Sequence, residues 1–375
     1  MFSLLEKMVR IQSGTYNKTG VDRVGRLILS VFQPHTVACR TIEQESFGNH
    51  LVVRSLCDEP FDKQMLLTGH MDTVFPEDTG FTGYKEDSAH AYGPGVIDMK
   101  GGLVAGIFAL KALDNESLLK KIPVTFIFNA DEEIGSPGST PLIQREAAKS
   151  AFAFVLETGG RKGEIVTGRK GNLSLELSIK GKAGHAAFAG KEKASAVLEL
   201  AHKIIAFESL NDPDRGITVN VGKVNGGIGP NTVADHALAR IDFRFIGPSD
   251  KTSLENSISE ITQRNDVPGT GSHFAVLSSR PPMPASAKNK NLFKAVQETA
   301  ASLGFSVAEE FRSGVSDANV IAGENTPVID GLGPIGAKDH SEDEYMVKAS
   351  LLQRSSLIAG ALIDCWEKYR RGRLF

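Results

Sequence analysis

The chain has 375 residues, of which 41% are hydrophobic and 23% are charged, and its formal net charge is −3. This composition is typical of a folded globular protein and excludes a chain that is disordered throughout. A net charge so close to zero gives no reason to expect a nucleic acid or an anionic membrane as a partner. The length exceeds that of a usual single core, so two domains are expected.

Three cysteines are scattered along the chain at Cys39, Cys57 and Cys365. An odd number without a C-x-x-C pair indicates neither a disulfide framework nor a thiolate metal site, so we expect all three to be small buried residues. No apolar run reaches the roughly 20 residues needed to span a bilayer. Since the first helix also lacks the features of a signal peptide, we expect a cytoplasmic location.

Helical and strand-like segments alternate in the first part of the chain. The spacing of apolar residues predicts helices over 1–11, 20–32 and 101–113, and strands over 49–54, 64–68, 124–129 and 152–156. The last two runs contain no polar alternation, which is typical of strands covered on both faces. We therefore expect an α/β fold with a mostly parallel central sheet and helices on both faces.

The pattern changes near Gly168. From there we predict a strand over 173–179, a helix over 194–208, strands over 217–224 and 237–245, a helix over 249–264 and a strand over 272–278. Polar residues alternate with apolar ones in the first of these strands, which indicates a sheet with one face in water. The order β-α-β-β-α-β is that of a ferredoxin-like α+β unit.

A stiff, proline-rich linker over 280–284 ends this unit. Helices over 291–303 and 347–368 and a strand over 328–331 then return to the α/β pattern. One domain is therefore interrupted by another. We expect residues 1–168 and 282–375 to form a catalytic domain and residues 169–281 to form an inserted lid domain.

Histidines and acidic residues come after several of the predicted strands. They are His70, Asp72, Asp98, Glu132, Glu133, Glu157 and, in a late loop, His340. In open α/β sheets, ligands bind outside the carboxyl ends of the strands. Imidazole and carboxylate groups bind divalent cations, and a shared carboxylate can hold two ions close together. The pattern predicts a site for two divalent metal ions.

Each of these residues alone has a simpler interpretation. An isolated His70 is more often structural, Asp98 can cap the helix that follows it, and Glu132 and Glu133 can form a solvated loop. Asp72 favours the metal interpretation of His70. Two positions along an extended chain, its carboxylate can accept the other imidazole N–H and fix the orientation of the ring.

Four motifs together resemble, in order and spacing, those of the di-zinc peptidases of the aminoacylase and glutamate carboxypeptidase family. They are His70-Met71-Asp72-Thr73-Val74, Gly95-Val96-Ile97-Asp98-Met99-Lys100-Gly101-Gly102, Asp131-Glu132-Glu133-Ile134-Gly135-Ser136 and Asp339-His340-Ser341-Glu342. The resemblance covers nearly the whole chain and includes the inserted unit. It implies a zinc aminopeptidase/carboxypeptidase-like fold with a ferredoxin-like lid.

The resemblance also implies two bound Zn²⁺ ions, although Co²⁺ or Mn²⁺ suits the same ligands. Asp98 would bridge the two ions. His70 and Glu157 would complete the protein ligands of one ion, and Glu133 and His340 those of the other.

Further roles follow from the same resemblance. Glu132 matches the general base, and Asp72 matches the carboxylate behind His70. The peptide bond between Asp98 and Met99 is expected to be cis.

In the inserted unit, His185 resembles a lid histidine that donates a hydrogen bond to the oxyanion, commonly across a dimer interface. Asn231 and Arg244 resemble lid residues that bind the carboxylate or carbonyl of the substrate, although Arg244 can equally be structural. Around Arg312 the sequence looks most like that of the folate-cleaving glutamate carboxypeptidases, in which the matching arginine binds a C-terminal carboxylate. Arginine suits this role because its guanidinium pairs with a carboxylate through two hydrogen bonds.

These expectations favour a metallo-carboxypeptidase that releases a C-terminal amino acid, with glutamate as the best single choice, from an N-acyl amino acid or a short peptide. A deacylase acting on acetylornithine or succinyl-diaminopimelate would use the same centre. A non-catalytic peptide or metabolite binder is a third interpretation, but a binder has no use for Glu132. Relatives often dimerise through the lid, so a homodimer is possible.

Overall fold

The computed structural model describes residues 1–32, 36–58, 60–190 and 192–375. The α-helices are α1 (Phe2–Val9), α2 (Lys18–Leu29), α3 (Lys100–Asn115), α4 (Thr140–Ala147), α5 (Ala196–Glu208), α6 (Pro248–Gln263), α7 (Ala287–Ser302), α8 (Asp317–Gly323) and α9 (Lys348–Arg370). Each helix predicted from the apolar period forms, with its ends displaced by a few residues. The short helices α4 and α8 were not predicted.

The strands form sheets of different sizes. They are β1 (Val37–Ile42), β2 (His50–Ser55), β3 (Gln64–His70), β4 (Lys85–Glu86), β5 (His90–Tyr92), β6 (Val124–Asn129), β7 (Ser150–Val155), β8 (Ile165–Arg169), β9 (Gly171–Lys180), β10 (Gly184–His185), β11 (Thr218–Gly226), β12 (Thr232–Val233), β13 (His236–Phe245), β14 (Gly271–Arg280), β15 (Glu309–Arg312), β16 (Val328–Ile329), β17 (Gly336–Ala337) and β18 (Tyr345–Val347). The predicted strands form at the expected places.

The central sheet has six strands in the order β1-β2-β6-β3-β7-β16. Strands β6, β3, β7 and β16 are parallel to one another, whereas β2 is antiparallel to β6 and β1 is antiparallel to β2. Every residue of β6 and β7 is buried, as expected for strands covered on both faces. Helices α1, α3, α7 and α9 pack together as one group and α4 packs with α8 as another. The predicted α/β class with a mostly parallel sheet is confirmed.

The chain divides into two compact units. Unit 1 comprises Met1–Gly168, Ala285–Arg312 and Ser316–Phe375, and unit 2 comprises Arg169–Pro284 and Ser313–Val315. Each unit has its own hydrophobic core, built around the central sheet in unit 1 and around a second sheet in unit 2.

The sheet of unit 2 is antiparallel, with strand order β11-β13-β9-β14. Helix α5 packs on β9, β11 and β13, and α6 packs on β14. The chain order β9-α5-β11-β13-α6-β14 with this strand order is the ferredoxin-like arrangement. On β9, buried residues alternate with half-buried ones, so one face of the strand lines the core of unit 2.

The cysteine prediction is correct for one residue. Cys365 is buried in α9, but Cys39 is exposed and Cys57 is half-buried. The prediction fails for Cys39 because β1 is the edge strand of the central sheet and most of its residues are exposed. Cys57 lies just beyond β2, where its thiol donates to the carbonyl of Ile122 at 3.1 Å.

Among the described residues, no helix has the length and apolar character needed to cross a bilayer.

Candidate metal centre

The ends of neighbouring parallel strands in unit 1 bring the predicted ligands together. His70 is the last residue of β3, Glu133 lies in a 3-10 helix (Glu132–Ile134) just after β6, and Glu157 follows β7 by two residues. Because β6, β3 and β7 are adjacent and parallel, their carboxyl ends meet at one edge of the sheet. Asp98 lies just before α3, and His340 lies between β17 and β18.

Asp98 is at the middle of this group. One of its carboxylate oxygens, Oδ1, lies 3.1 Å from His70 Nε2, and the other, Oδ2, lies 3.1 Å from His340 Nε2. Glu157 approaches His70 Nε2 to 3.7 Å, and Glu133 approaches His340 Nε2 to 3.4 Å. The group therefore has two halves, each with one imidazole and one glutamate, that share a single aspartate.

The chemistry of these donors fits divalent cations. His70, Asp98 and Glu133 each offer one ligand atom, and these atoms lie within 4.8 Å of one another. The Oε1 atom of Glu133 is buried and has no hydrogen-bond partner among the described residues. A buried carboxylate oxygen without a partner is costly, and a cation would satisfy it. These residues form a candidate metal-ion site.

Burial and the charges of neighbouring groups shift the pKa values of the carboxylates in this group. Burial and the charge of Asp98 raise the pKa of Glu133 to about 7 and that of Glu157 well above its usual range. Burial would raise the pKa of Asp98 too, but hydrogen bonds from His340 and His70 lower it. Ionisation of Glu133 and Glu157 is therefore unfavourable in the absence of a cation, and a bound divalent cation would stabilise their ionised forms.

The same carboxylates raise the pKa values of the two histidines. Hydrogen bonds to Asp98 and Glu133 raise the pKa of His340 to about 11. Burial alone would lower the pKa of His70, but its hydrogen bonds to Asp72 and Asp98 raise it well above the ordinary value.

The buried carboxylate of Asp72 connects several parts of the group. It accepts a hydrogen bond of 2.7 Å from the hydroxyl of Thr15 and receives the backbone N–H groups of Glu132 and Glu133 at 3.3 Å each. His70 Nδ1 lies 3.4 Å from Asp72 Oδ1, but its closer partner is the backbone carbonyl oxygen of Asp72, at 3.0 Å. Asp72 thus joins the end of β3 to the 3-10 helix that carries Glu132.

The loop before α3 holds Asp98 in a defined conformation. The peptide bond between Asp98 and Met99 is cis, as expected. Helix α3 approaches the end of β7 closely at Gly102, where a Cβ atom would lie 1.9 Å from the carbonyl oxygen of Leu156. Only glycine permits this approach, which brings the start of α3 beside the segment that carries Glu157.

Arg312 ends β15 in unit 1 but does not belong to the group around Asp98. Its Nε lies 2.8 Å from Glu310 Oε2, and its Nη1 donates to the carbonyl oxygen of Thr158 at 2.8 Å. The guanidinium therefore contacts the residue that directly follows Glu157.

The three predicted residues of unit 2 lie in two places. His185 ends β10 and pairs with Thr232 of β12, while Asn231 directly precedes β12 and its carbonyl accepts the backbone N–H of Ala186. The His185 ring is exposed. Arg244 belongs to β13 and pairs with Asp242 at 2.8 Å.

Two polar residues beside the group escaped the sequence analysis. Thr15 holds Asp72, and the buried Glu344 accepts backbone hydrogen bonds from the loop that carries Asp98. Burial raises the pKa of Glu344 to about 7, against the effect of these hydrogen bonds. Glu344 lies only four positions after His340, and this closeness is the one signal in the sequence that pointed to it.

Comparison with known proteins agrees with this arrangement. The model of peptidase family M20/M25/M40 matches residues 66–364. Carboxypeptidase G2 from Pseudomonas sp. (strain RS-16) is 28% identical over 367 residues, which cover 96% of this chain and 87% of that protein. Succinyl-diaminopimelate desuccinylase from Pseudomonas syringae is 26% identical over 328 residues, which cover 82% of this chain and 83% of that protein.

A solved structure supports the fold. Aminopeptidase PepT from Bacillus cereus superposes with a TM-score of 0.79 at 21% identity, and the superposition covers 97% of each chain. The family match spans most of the chain and includes Asp98 and the four side chains around it. The chain therefore belongs to peptidase family M20/M25/M40 and is a metal-dependent peptidase of that family.

Proposed function

We propose that the protein is a di-zinc carboxypeptidase that hydrolyses an amide bond and releases a C-terminal amino acid, with glutamate as the preferred product. The observation that carries the proposal is the shared aspartate. Asp98 directs one carboxylate oxygen toward His70 and the other toward His340, each at 3.1 Å. A carboxylate placed between two equivalent halves is suited to bridge two cations.

In this proposal His70 and Glu157 complete the ligands of one ion, and Glu133 and His340 those of the other. The donors are nitrogen and carboxylate oxygen, which suit Zn²⁺ as well as Co²⁺ or Mn²⁺. When bound, such a pair of ions lowers the pKa of a water molecule and polarises the carbonyl of the amide.

Glu132 is the proposed general base. It takes a proton from the attacking water as the C–O bond forms, and it passes that proton to the nitrogen that leaves as the C–N bond breaks. Its backbone N–H is held by Asp72 at 3.3 Å, which fixes the 3-10 helix from which the side chain extends. Asp72 also orients the ring of His70 through its backbone carbonyl.

Arg312 is the proposed contact for the free carboxylate of the substrate. Its guanidinium reaches the residue after Glu157, so it lies near one half of the candidate centre. The similarity to carboxypeptidase G2 over nearly the whole chain favours a substrate with a C-terminal carboxylate. In unit 2, His185 is proposed to donate to the oxyanion, and Asn231 and Arg244 to bind the substrate.

We also propose that unit 2 mediates a homodimer. Strands β11 and β14 are the edges of its sheet, and apolar side chains on both are exposed, with Val224 at 55% and Val276 at 53%. Exposed edge strands readily pair with another strand. Light scattering of the purified protein, before and after Val276→Lys, tests this proposal.

A second candidate function is the removal of an acyl group from an amino acid. The 26% identity to succinyl-diaminopimelate desuccinylase over 82% of this chain favours it. Both reactions break an amide bond beside a free carboxylate, so they differ in the acyl group that the protein accepts.

The purified protein should be offered a panel of N-acylglutamates, N-acetylornithine, N-succinyl-diaminopimelate and short peptides, with and without chelator. The proposal expects release of glutamate that stops when the metal is removed and returns when Zn²⁺ is added. Faster release of succinate would favour the second function. Release that is indifferent to the chelator, or binding without turnover, would overturn the proposed enzyme.

A further inference from the structure

The loop that carries Asp98 is held by one carboxylate from a distant part of the chain. Glu344 Oε1 accepts the backbone N–H groups of Ile97 at 2.8 Å and Asp98 at 3.1 Å, and Glu344 Oε2 accepts the N–H of Gly95 at 2.9 Å. Glu344 is fully buried. Three hydrogen bonds to a buried carboxylate define the position of the loop more strictly than packing alone.

Glu344 also belongs to the segment that supplies His340. That segment runs from β17 to β18, and the N–H of Glu344 donates to the carbonyl of Ser341. His340 contacts the side chain of Asp98 while Glu344 contacts its backbone N–H. The two contacts therefore fix the carboxylate of Asp98 and the imidazole of His340 relative to each other.

The loop is also held by the buried side chain of Lys100. Lys100 Nζ donates to the carbonyl oxygen of Pro94 at 3.4 Å and to that of Ile11 at 3.1 Å. Glu344 thus binds N–H groups of the loop, and Lys100 binds a carbonyl group. Both side chains are fully buried, so water does not compete for these hydrogen bonds.

We propose that Glu344 is a positioning residue that sets Asp98 between the two halves of the metal centre and assembles the half that contains His340. This inference rests on the proposed di-zinc function. Glu344 contacts no predicted substrate group. Its effect is transmitted through the backbone of Asp98 and through the turn that carries His340.

A positioning role and a general stabilising role predict different effects on metal binding. If Glu344 is a positioning residue, its loss should lower the metal affinity of one half of the centre more than that of the other. Loss of Glu344 frees the 340–344 turn and the backbone of Asp98, so the ion held by Asp98, Glu133 and His340 should weaken most. The other ion shares Asp98, but its remaining ligands, His70 and Glu157, come from the ends of β3 and β7, whereas the hydrogen bonds of the Glu344 carboxylate go to the loop 95–98.

The test compares Glu344→Gln with the unaltered full-length protein. Glutamine has almost the same shape, but it has only one acceptor oxygen, so its NH₂ group must face an N–H group of the loop. Metal-free protein is titrated with Co²⁺, and the visible absorption spectrum and the number of bound ions are recorded. Glu344→Asp, which keeps the charge and shortens the side chain, is titrated in parallel.

The matched control is Glu199→Gln in unit 2. Glu199 is also fully buried and accepts two backbone N–H groups, from Asp266 at 3.3 Å and from Val267 at 2.7 Å. It clamps a loop in the same manner but belongs to the other unit. Its substitution is expected to lower the thermal stability and to leave both Co²⁺ ions and their spectrum unchanged.

The expected result is two Co²⁺ ions in the unaltered protein and a loss of affinity of about 10- to 100-fold for one of them in Glu344→Gln, with an altered spectrum and a folded circular dichroism signal. Equal binding of two ions by Glu344→Gln and the unaltered protein would overturn the inference. So would loss of the folded state in both Glu344 variants while Glu199→Gln stays folded, since that result assigns Glu344 to stability. If the unaltered protein itself binds no metal, the proposed function fails instead.

Discussion

The hydroxyl of Thr15 donates a hydrogen bond of 2.7 Å to the carboxylate of Asp72, and both residues are buried. The bond connects the segment between α1 and α2 to the end of β3. Through Asp72 it supports the ring of His70 and the backbone of the 3-10 helix that carries Glu132.

Thr15→Val should weaken the binding of one metal ion. Valine has the shape of threonine but no hydroxyl, so Asp72 loses a partner that holds it in place. Metal affinity measured by competition with a chelator is expected to fall by about 10-fold. Thr15→Ser, which keeps the hydroxyl, should bind metal as the unaltered protein does. Equal affinities for the valine and serine variants would remove Thr15 from this role.

Glu132→Gln should retain both metal ions but lose turnover. Glutamine cannot accept the proton from water, and a general base contributes about 10²- to 10⁴-fold to the rate. The measurement is kcat for glutamate release together with the metal content of the same sample. Glu116→Gln, an exposed carboxylate at the end of α3, is the control. A Glu132 variant that keeps most of its activity would show that the base is another group.

Arg312→Ala should impair substrates with a free C-terminal carboxylate more than amidated ones. Loss of a bidentate partner for a carboxylate is expected to raise KM for the free acid by about 10- to 100-fold, because a hydrogen bond to a charged group contributes about 1.5–3 kcal/mol. The nearby Arg161, which is exposed, provides the control as Arg161→Ala.

Equal effects on both substrates would contradict this role for Arg312. They would indicate that its contact with the Thr158 carbonyl serves to hold the segment of Glu157.

The ion pair between Arg54 and Glu146 should make the free energy of unfolding depend on pH in the acidic range. The Arg54 Nη2 atom lies 2.7 Å from Glu146 Oε2, and Gln64 donates to the same carboxylate at 3.2 Å. Burial would raise the pKa of Glu146, but the hydrogen bond from Gln64 and the charge of Arg54 lower it overall. A lowered pKa in the folded state stabilises the protein above the unfolded pKa of about 4.3, and this stability is lost as the pH falls through the folded pKa.

Arg54→Met should therefore lower the free energy of unfolding by about 1–2 kcal/mol at pH 7, a modest value because Arg54 is half-exposed. The difference from the unaltered protein should shrink as the pH falls through the lowered pKa of Glu146, where the carboxyl group becomes protonated in the folded state as well. Urea unfolding at several pH values provides the measurement, with the exposed Arg23→Met as the control. A difference that stays constant with pH would show that Arg54 acts through packing alone.

The buried strands were the part of the fold that the sequence predicted best. The run Val124–Asn129 forms β6 at the predicted ends, because a strand covered on both faces must be apolar at every position. Strand β1 was missed because it lies at the edge of the sheet and is mostly exposed. The two-residue strands β10 and β12 were missed because each is short and pairs with residues far along the chain, which leaves little local pattern.

In the candidate site, too, residues with a local sequence pattern were predicted and residues held by distant contacts were missed. The residues at strand ends were predicted together because an apolar run followed by acidic residues or histidine is visible locally, and their role as ligands stays a prediction. Thr15 and Glu344 were missed because their hydrogen bonds join positions separated by 57 and about 246 residues. Hydrogen bonds between such distant positions leave no local pattern, and for Glu344 only its closeness to His340 could have drawn attention to it.

The order of the segments has a consequence for biosynthesis. Unit 1 begins at the amino terminus, is interrupted by unit 2 and is completed only by Ser316–Phe375. His340 and Glu344 both belong to that final segment, while His70, Asp98, Glu133 and Glu157 are translated before unit 2 begins. A nascent polypeptide therefore lacks both residues until this last segment has been made, and a product that terminates before residue 340 contains neither of them.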